Sequence, residues 1–138
     1  MALLTLADVV ALHEAAMRRM GWVPAPLRDE GALESAIMRP RHAAHYEGAD
    51  IIRQAALLAI GISQAQAFLD GNKRTAAAAL LVFLYREGWA FDGDPIALGR
   101  WIETVAAASD REAAAATFET WLRGQIVRSP EAGAPPAG

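Results

Sequence analysis

Residues 66–88 read QAFLDGNKRTAAAALLVFLYREG, a turn-forming segment followed by a long apolar one. Asp70 and Gly71 are turn formers, so the sequence predicts a break here and a helix that begins at about Asn72 and continues to the end of this stretch. Residues 76–84 are apolar at every position. A helix that is apolar on all sides is surrounded by protein, which predicts that this helix lies at the centre of the domain.

The rest of the chain also predicts helices. Alanine, which has the highest helix propensity, is abundant, and no stretch alternates apolar and polar residues as a half-buried strand does. Thr5 and Asp8 form a capping box for the first helix. Asp29 caps a short helix that is expected to stop before Pro40, and the stretch that follows is predicted to be loose.

Three further helices are predicted on either side of the central segment. Asp50 caps a helix towards Ala67, in which Gly61 indicates either a close helix crossing or a weak point of the helix. Residues 89–95 form a turn-rich connector with room for a short strand or hairpin, and Asp94 then caps a fifth helix. A capping box of Ser109 and Glu112 is expected to start the sixth helix, whose apolar side carries Phe118, Trp121, Leu122 and Ile126.

The length of 138 residues predicts one domain. The expected fold class is all-α: a compact single domain of about six helices around a central buried helix, with room for one short hairpin. The domain is assigned to residues 1–128. Residues 129–138, SPEAGAPPAG, are predicted to be a disordered C-terminal tail because they offer little to bury.

Composition excludes several classes of function. A net charge of −3 lacks the basic footprint of a nucleic-acid-binding protein. No apolar run approaches the roughly 20 residues that span a bilayer, and the N-terminus lacks the basic start of a signal peptide, so a cytoplasmic location without membrane contact is expected. With no cysteine there is no thiol nucleophile and no cysteine-ligated zinc.

The start of the helix at Asn72 is the strongest candidate for a binding site. The first N–H groups of a helix have no intrahelical partner and lie at the positive end of its dipole, so they can receive an anion. Lys73 and Arg74 place two cations where the dipole disfavours them, which suggests a compensating phosphate, and Gly71 permits close approach of the backbone. Asp70 beside a nucleotide would complete a Mg²⁺ site. The alternative is that these charges are simply solvated.

Other candidates favour structural interpretations. His13, His42 and His45 lack a third metal ligand at useful spacing, so a hydrogen-bonded, partly buried histidine is the preferred interpretation. The four tryptophans are scattered along the chain and are assigned to packing. Short arginine clusters at residues 18–19 and 39–41 are interpreted as solvated surface.

The segment QAFLDGNKRTA resembles the signature of the Fic/Doc family, HxFx(D/E)GN(G/K)R, from Phe68 to Arg74. The upstream segments ALHEAAMRRMG and LRDEGALESAIMRPR are similar to the first helices of death-on-curing (Doc) toxins. The resemblance implies a compact helical fold and a toxin of a toxin–antitoxin pair that transfers the γ-phosphate of ATP to a threonine of elongation factor Tu, held inactive by a Phd-type antitoxin. Lys73 and Ala77 stand where AMP-transferring Fic enzymes usually carry glycine and arginine, and both favour Doc.

The resemblance assigns a role to each residue of the motif. Phe68 would anchor the loop, Asp70 would bind Mg²⁺, Gly71 and Asn72 would form the backbone cradle, and Lys73 with Arg74 would hold the phosphates of ATP. The catalytic set is therefore Asp70, Asn72, Lys73, Arg74 and the position of the family histidine, which is Gln66 in this chain.

Gln66 is a departure from the family pattern. A glutamine amide cannot take a proton from an attacking hydroxyl, and loss of a general base typically costs on the order of 10² to 10⁴ in rate. The sequence therefore predicts a nearly inactive form. Two explanations stay open: a replacement made so that a toxic protein can be produced, and a natural variant that has become a non-catalytic binding module. AMP transfer is the alternative activity, and a helical DNA-binding domain is disfavoured by the acidic charge balance.

Overall fold

A computed structural model describes residues 4–129, in which six helices and two short strands follow one another along the chain. The all-α class and the number of helices predicted from the sequence are confirmed. The elements are α1 Leu6–Arg19, α2 Glu30–Glu47, α3 Ile51–Ala65, α4 Asn72–Arg86, β1 Trp89–Phe91, α5 Pro95–Ala106, α6 Arg111–Arg123 and β2 Ile126–Arg128.

Most helix starts follow the caps predicted from the sequence. The Thr5 hydroxyl accepts a hydrogen bond from the Asp8 N–H, and the Thr5 N–H donates to the Asp8 carboxylate, which confirms the capping box of α1. Asp29, Asp50 and Asp94 cap α2, α3 and α5, each accepting from a backbone N–H in the first turn.

The most deeply buried helix is α3, whose residues from 55 to 63 are all buried. The domain therefore has a central buried helix, but it is not α4 as the apolar run predicted. Helix α4 packs against α3, α1 and α5, while Leu81 and Tyr85 on its outer face are 39% and 50% exposed. A wholly apolar run thus supplies one buried face and one apolar surface. Gly61 makes the predicted close crossing, since a Cβ there would lie 3.3 Å from the Cβ of Ala36 on α2.

Helix α2 does not stop before Pro40 but continues to Glu47, so the predicted break and the loose stretch after it are wrong. An internal proline removes the hydrogen bond to the carbonyl four residues earlier, here that of Ala36, and costs about 3 kcal/mol. Burial of a continuous helical face against α3 offsets this cost. The buried residues of that face are Leu33, Ala36, Ile37, Pro40 and Ala43.

The end of the domain differs from the sequence prediction in two details. Asp110 rather than Ser109 caps α6, because its carboxylate accepts from the Ala113 N–H at 3.1 Å, so the capping box with Glu112 is wrong. Ile126 does not lie on α6 but starts β2. This strand pairs antiparallel with β1, although α5 and α6 lie between the two strands in the sequence. The short strand predicted after α4 is thereby confirmed.

Two sequence expectations concern the ends of the chain and the membrane. Ser129, the first residue of the predicted tail, donates its N–H to the Gly88 carbonyl at 3.3 Å, and the remainder of that tail, residues 130–138, lies outside the described residues. Among residues 4–129 no helix is long and apolar enough to cross a bilayer.

Candidate functional site

The loop between α3 and α4 begins at Gln66, the residue in the position of the expected base. Gln66 ends α3 in the left-handed conformation, with φ 51° and ψ 39°. Its side-chain amide donates to the Ser63 carbonyl at 3.0 Å, and its own carbonyl accepts from the Arg28 guanidinium at 2.7 Å. Gln66 is thus held at both its backbone and its side chain.

Asn72 closes the loop at its other end. Its side-chain oxygen accepts from the Phe68 N–H at 3.0 Å, and its side-chain nitrogen donates to the Phe68 carbonyl at 2.9 Å. Asn72 is 7% exposed and Phe68 only 1%. The Asn72 amide therefore serves the shape of the loop.

The segment before α2 lies along the same loop. The Ala67 carbonyl accepts from the backbone N–H groups of Arg28 and Asp29 at 2.7 and 3.0 Å, and Leu69 donates to the Pro26 carbonyl at 3.3 Å. A single antiparallel bridge joins Leu27 to Phe68. These contacts hold the loop along one side while its other side remains open to the surface.

His13 on α1 supports the loop from below. It is 1% exposed, its ring stacks on Phe68 with centroids 3.7 Å apart, and its Nε2 lies 2.8 Å from the Asp70 carbonyl oxygen. The prediction of a hydrogen-bonded, partly buried histidine is confirmed for His13, whereas the other two histidines of the chain are exposed. Its connection with the motif was missed, although Val9, His13 and Met17 recur at the i, i+4 spacing of one buried helix face.

Gly71 turns the chain into α4 with a φ of 82°, in the left-handed region that favours glycine. A Cβ here would lie 2.7 Å from the Met17 sulfur and 3.2 Å from His13 Nε2. The Gly71 N–H donates to the Asp70 carboxylate at 2.8 Å, and its carbonyl accepts from the Thr75 hydroxyl at 2.8 Å. The glycine is therefore required by both the turn and the close approach of α1.

A surface cleft of about 920 Å³ opens over the start of α4. Gln66, Asp70, Gly71, Asn72, Lys73 and Arg74 all line it, so the tertiary structure brings the polar residues of the motif to one cavity. Two carboxylates, Asp70 and Glu103, face it together with four cations. These cations come from three helices and are Arg19, Lys73, Arg74 and Arg100.

The two cations at the start of α4, Lys73 and Arg74, have no acidic partner in the described part of the chain. The Arg74 guanidinium instead lies over the Trp22 ring, 5.5 Å from its centroid. Trp22 is 46% exposed and lines the cleft, so its assignment to packing alone was incomplete. Such unpaired charge beside a helix start whose N-cap residue makes no side-chain hydrogen bond fits an anionic ligand.

The donor set also fits a nucleotide-bound Mg²⁺. Asp70 offers an exposed carboxylate beside the cations, one oxygen of which already accepts the Gly71 N–H. In the described part of the chain no three His, Cys, Asp or Glu side chains gather as a metal site. Mg²⁺ characteristically takes one or two carboxylates and completes its shell with phosphate oxygens and water. A single carboxylate such as that of Asp70 is therefore sufficient as the protein's contribution to this site.

The remaining sequence candidates lie away from this cleft. His42 lines a smaller cavity of about 300 Å³ between α2, α3 and α6, and His45 packs edge-on against Tyr46 at 4.6 Å. Arg39 also lines that cavity, and its Nη1 is buried with no hydrogen-bond partner among residues 4–129, so the solvated interpretation fails there. Burial lowers the pKa of Arg39, with Arg111 adding to the effect.

Comparison with known proteins connects the cleft to a family. The sequence profile of the Fic/DOC family matches residues 3–84, which reach from α1 to within the last turn of α4 and include the whole loop. Over 92 residues the chain is 34% identical to the protein kinase doc of Escherichia phage P1, an alignment that spans 65% of this chain and 72% of that protein.

Proposed function

This chain belongs to the Fic/DOC family, and we propose that it is a Doc-like toxin whose cleft is built to transfer the γ-phosphate of ATP to a threonine of elongation factor Tu. The observation that carries the proposal is the set of motif cations at the mouth of α4, which have no carboxylate partner among residues 4–129 and share the cleft with Asp70. A cytoplasmic location and a Phd-type antitoxin that covers the toxin belong to the same proposal.

The residues of the motif have distinct physical roles in this proposal. Lys73, Arg74 and the first N–H groups of α4 bind and orient the phosphates, and Asp70 holds Mg²⁺. Bound Mg²⁺ neutralises charge on the phosphate oxygens. Phe68 and Asn72 act on the loop and not on the substrate, because the ring is buried and the amide bonds the Phe68 backbone through both its oxygen and its nitrogen.

Gln66 limits the activity of this form. Phosphoryl transfer depends mainly on positioning and charge neutralisation, which the cleft supplies, but the acceptor hydroxyl must also lose a proton. The Gln66 amide has no basic lone pair near neutral pH, and its nitrogen already donates to the Ser63 carbonyl. We therefore propose that this form binds Mg-ATP and transfers phosphate at a rate lower by on the order of 10² to 10⁴ than a form with histidine at this position.

The same observation supports a second candidate, a non-catalytic module that keeps the scaffold to bind an antitoxin or another protein. AMP transfer is the alternative chemistry. Lys73 and Ala77 both line the cleft at the positions where the resemblance expects glycine and arginine for that reaction, so these two residues favour phosphate transfer.

The deciding experiment restores the base with the substitution Gln66→His. The variant and the original chain are incubated with elongation factor Tu, Mg²⁺ and ATP labelled at either the α or the γ position. Label transferred only from the γ position supports the kinase, and label from the α position identifies an AMP transferase. No transfer by a folded Gln66→His variant that binds ATP would favour the binding module. The double variant Gln66→His with Lys73→Ala is the control, because it has the base without the full phosphate site.

A further inference from the structure

We infer that His13 is a positioning residue for the loop, acting through the peptide group between Asp70 and Gly71 rather than on the substrate. This inference rests on the proposed nucleotide site, because it concerns how that site obtains its shape. His13 belongs to α1, is separated from Asp70 by 57 positions along the chain and contacts the loop at both Phe68 and Asp70.

The hydrogen bond fixes the tautomer of His13. A backbone carbonyl oxygen can only accept, so Nε2 at 2.8 Å from it must carry a proton. The imidazole is 1% exposed and stacks on Phe68 with the two planes 7° apart, an arrangement that leaves little freedom for the ring to rotate. His13 therefore presents one N–H group at a fixed place beneath the loop.

That N–H controls the direction of two groups that face the cleft. In a trans peptide the C=O and N–H bonds lie in one plane and point in opposite directions. Holding the Asp70 carbonyl towards α1 therefore turns the Gly71 N–H away from α1, where it donates to the Asp70 carboxylate at 2.8 Å. The position of the Asp70 carboxylate, which is proposed to bind Mg²⁺, is thus coupled to His13, although His13 itself does not contact the metal or the nucleotide.

Two substitutions of equal length separate the hydrogen bond from the volume of the side chain. In His13→Gln the amide nitrogen can reach the place of Nε2 and donate to the Asp70 carbonyl. In His13→Met the chain has the same length but no donor. Both lose the aromatic stacking on Phe68, so the difference between them reports the N–H group. His45→Met, at an exposed histidine of α2, is the control for the loss of a histidine.

Affinity for Mg-ATP is measured by calorimetry, and exchange of the Gly71 amide hydrogen is measured by NMR. We expect His13→Met to bind Mg-ATP about fivefold more weakly than His13→Gln, as loss of one hydrogen bond implies, and the His45→Met control to bind like the original chain. The Gly71 amide is expected to exchange faster in His13→Met than in His13→Gln by a similar factor. Equal affinity and equal exchange in the two variants would overturn the inference.

The outcomes separate this inference from the proposed function. If the original chain does not bind Mg-ATP, the proposed nucleotide site fails, while the exchange of Gly71 still decides the role of His13. If both variants unfold, the nitrogen resonances of His13 in the original chain decide instead. A proton on Nε2 supports the inference, and a proton on Nδ1 alone contradicts it.

Discussion

The side-chain amide of Asn72 hydrogen-bonds both the N–H and the C=O of Phe68, at 3.0 and 2.9 Å. One side chain thus satisfies the N–H and the C=O of a buried loop residue, since the hydrogen bonds of its bridge with Leu27 are made by the residues on either side of it. Asn72, the first residue of α4, therefore also holds the shape of the loop that precedes it.

Replacing Asn72 should weaken this attachment of the loop. In Asn72→Asp the carboxylate can still accept from the Phe68 N–H, but it faces the Phe68 carbonyl without a donor. We expect a loss of about 1–3 kcal/mol in the free energy of unfolding, measured by urea denaturation. Lys73→Ala at the exposed neighbouring position should change the unfolding free energy by no more than about 0.5 kcal/mol. Equal stability of both variants would mean that the hydrogen bonds of Asn72 to Phe68 contribute nothing to the free energy of unfolding.

Gly71→Ala tests the turn into α4. Its backbone has a φ of 82°, and the added methyl carbon would lie 2.7 Å from the Met17 sulfur. We expect a loss of about 1–2 kcal/mol from the left-handed conformation, with a further contribution from the contact. A second substitution, Met17→Ala, removes the contact but leaves the backbone strain. The double variant should therefore lose less than the sum of the two single losses, and strict additivity would show that Met17 is not in contact.

Removing either phosphate-binding cation should weaken ATP binding. Lys73→Ala and Arg74→Ala each remove a charge from the cleft, and a charge-assisted hydrogen bond to phosphate is worth about 1.5–3 kcal/mol, or on the order of 10- to 100-fold in affinity. Arg18→Ala is the matched control, because Arg18 lies on α1 but does not line the cleft. Calorimetric affinities that are unchanged in both cleft variants would contradict the site.

The capping box of α1 makes the free energy of unfolding depend on pH in the acidic range. The hydrogen bond from the Thr5 backbone N–H, aided by Arg86, lowers the pKa of Asp8 below its ordinary value of 3.8. A carboxyl whose folded pKa is lowered stabilises the fold above its unfolded pKa, and this contribution disappears as the pH falls through the folded pKa. Asp8→Asn should therefore be less stable than the original chain near neutral pH, by about 0.5 kcal/mol for an exposed charge at a helix start.

That difference should begin to shrink as the pH falls below 3.8 and should disappear as the pH falls through the lower folded pKa, where Asp8 itself becomes neutral. Urea midpoints of both proteins across this range provide the measurement. A difference that stays constant down to the lowest pH would contradict a contribution from the charge of Asp8.

Local sequence signals were sufficient where the physics is local. Thr5, Asp50 and Asp94 cap their helices because a side-chain oxygen needs only a backbone N–H two or three residues away. The same reasoning failed at Ser109, because the adjacent Asp110 offers an equally good oxygen and is the N-cap residue of α6. A local rule cannot choose between neighbours when both satisfy it.

Pro40 shows the opposite case. The local rule predicted an end of the helix, and packing against α3 overrode it, although the buried positions on both sides of Pro40 keep helical spacing. Reading that spacing through the proline would have found the full length of α2. The partner of β1 had no such signal, because β2 lies 35 residues further along the chain and is separated from β1 by α5 and α6.

The sequence by itself determined the helical class, most helix starts and the place of the motif, because propensity, capping and the turn at Asp70 and Gly71 act over a few residues. Only the tertiary structure decided which helix is central, that His13 supports the loop and that Trp22, Arg19 and Arg100 share the cleft. These contacts join distant segments through burial and side-chain geometry, and helical spacing gives the face on which a residue lies but not the residue that it meets.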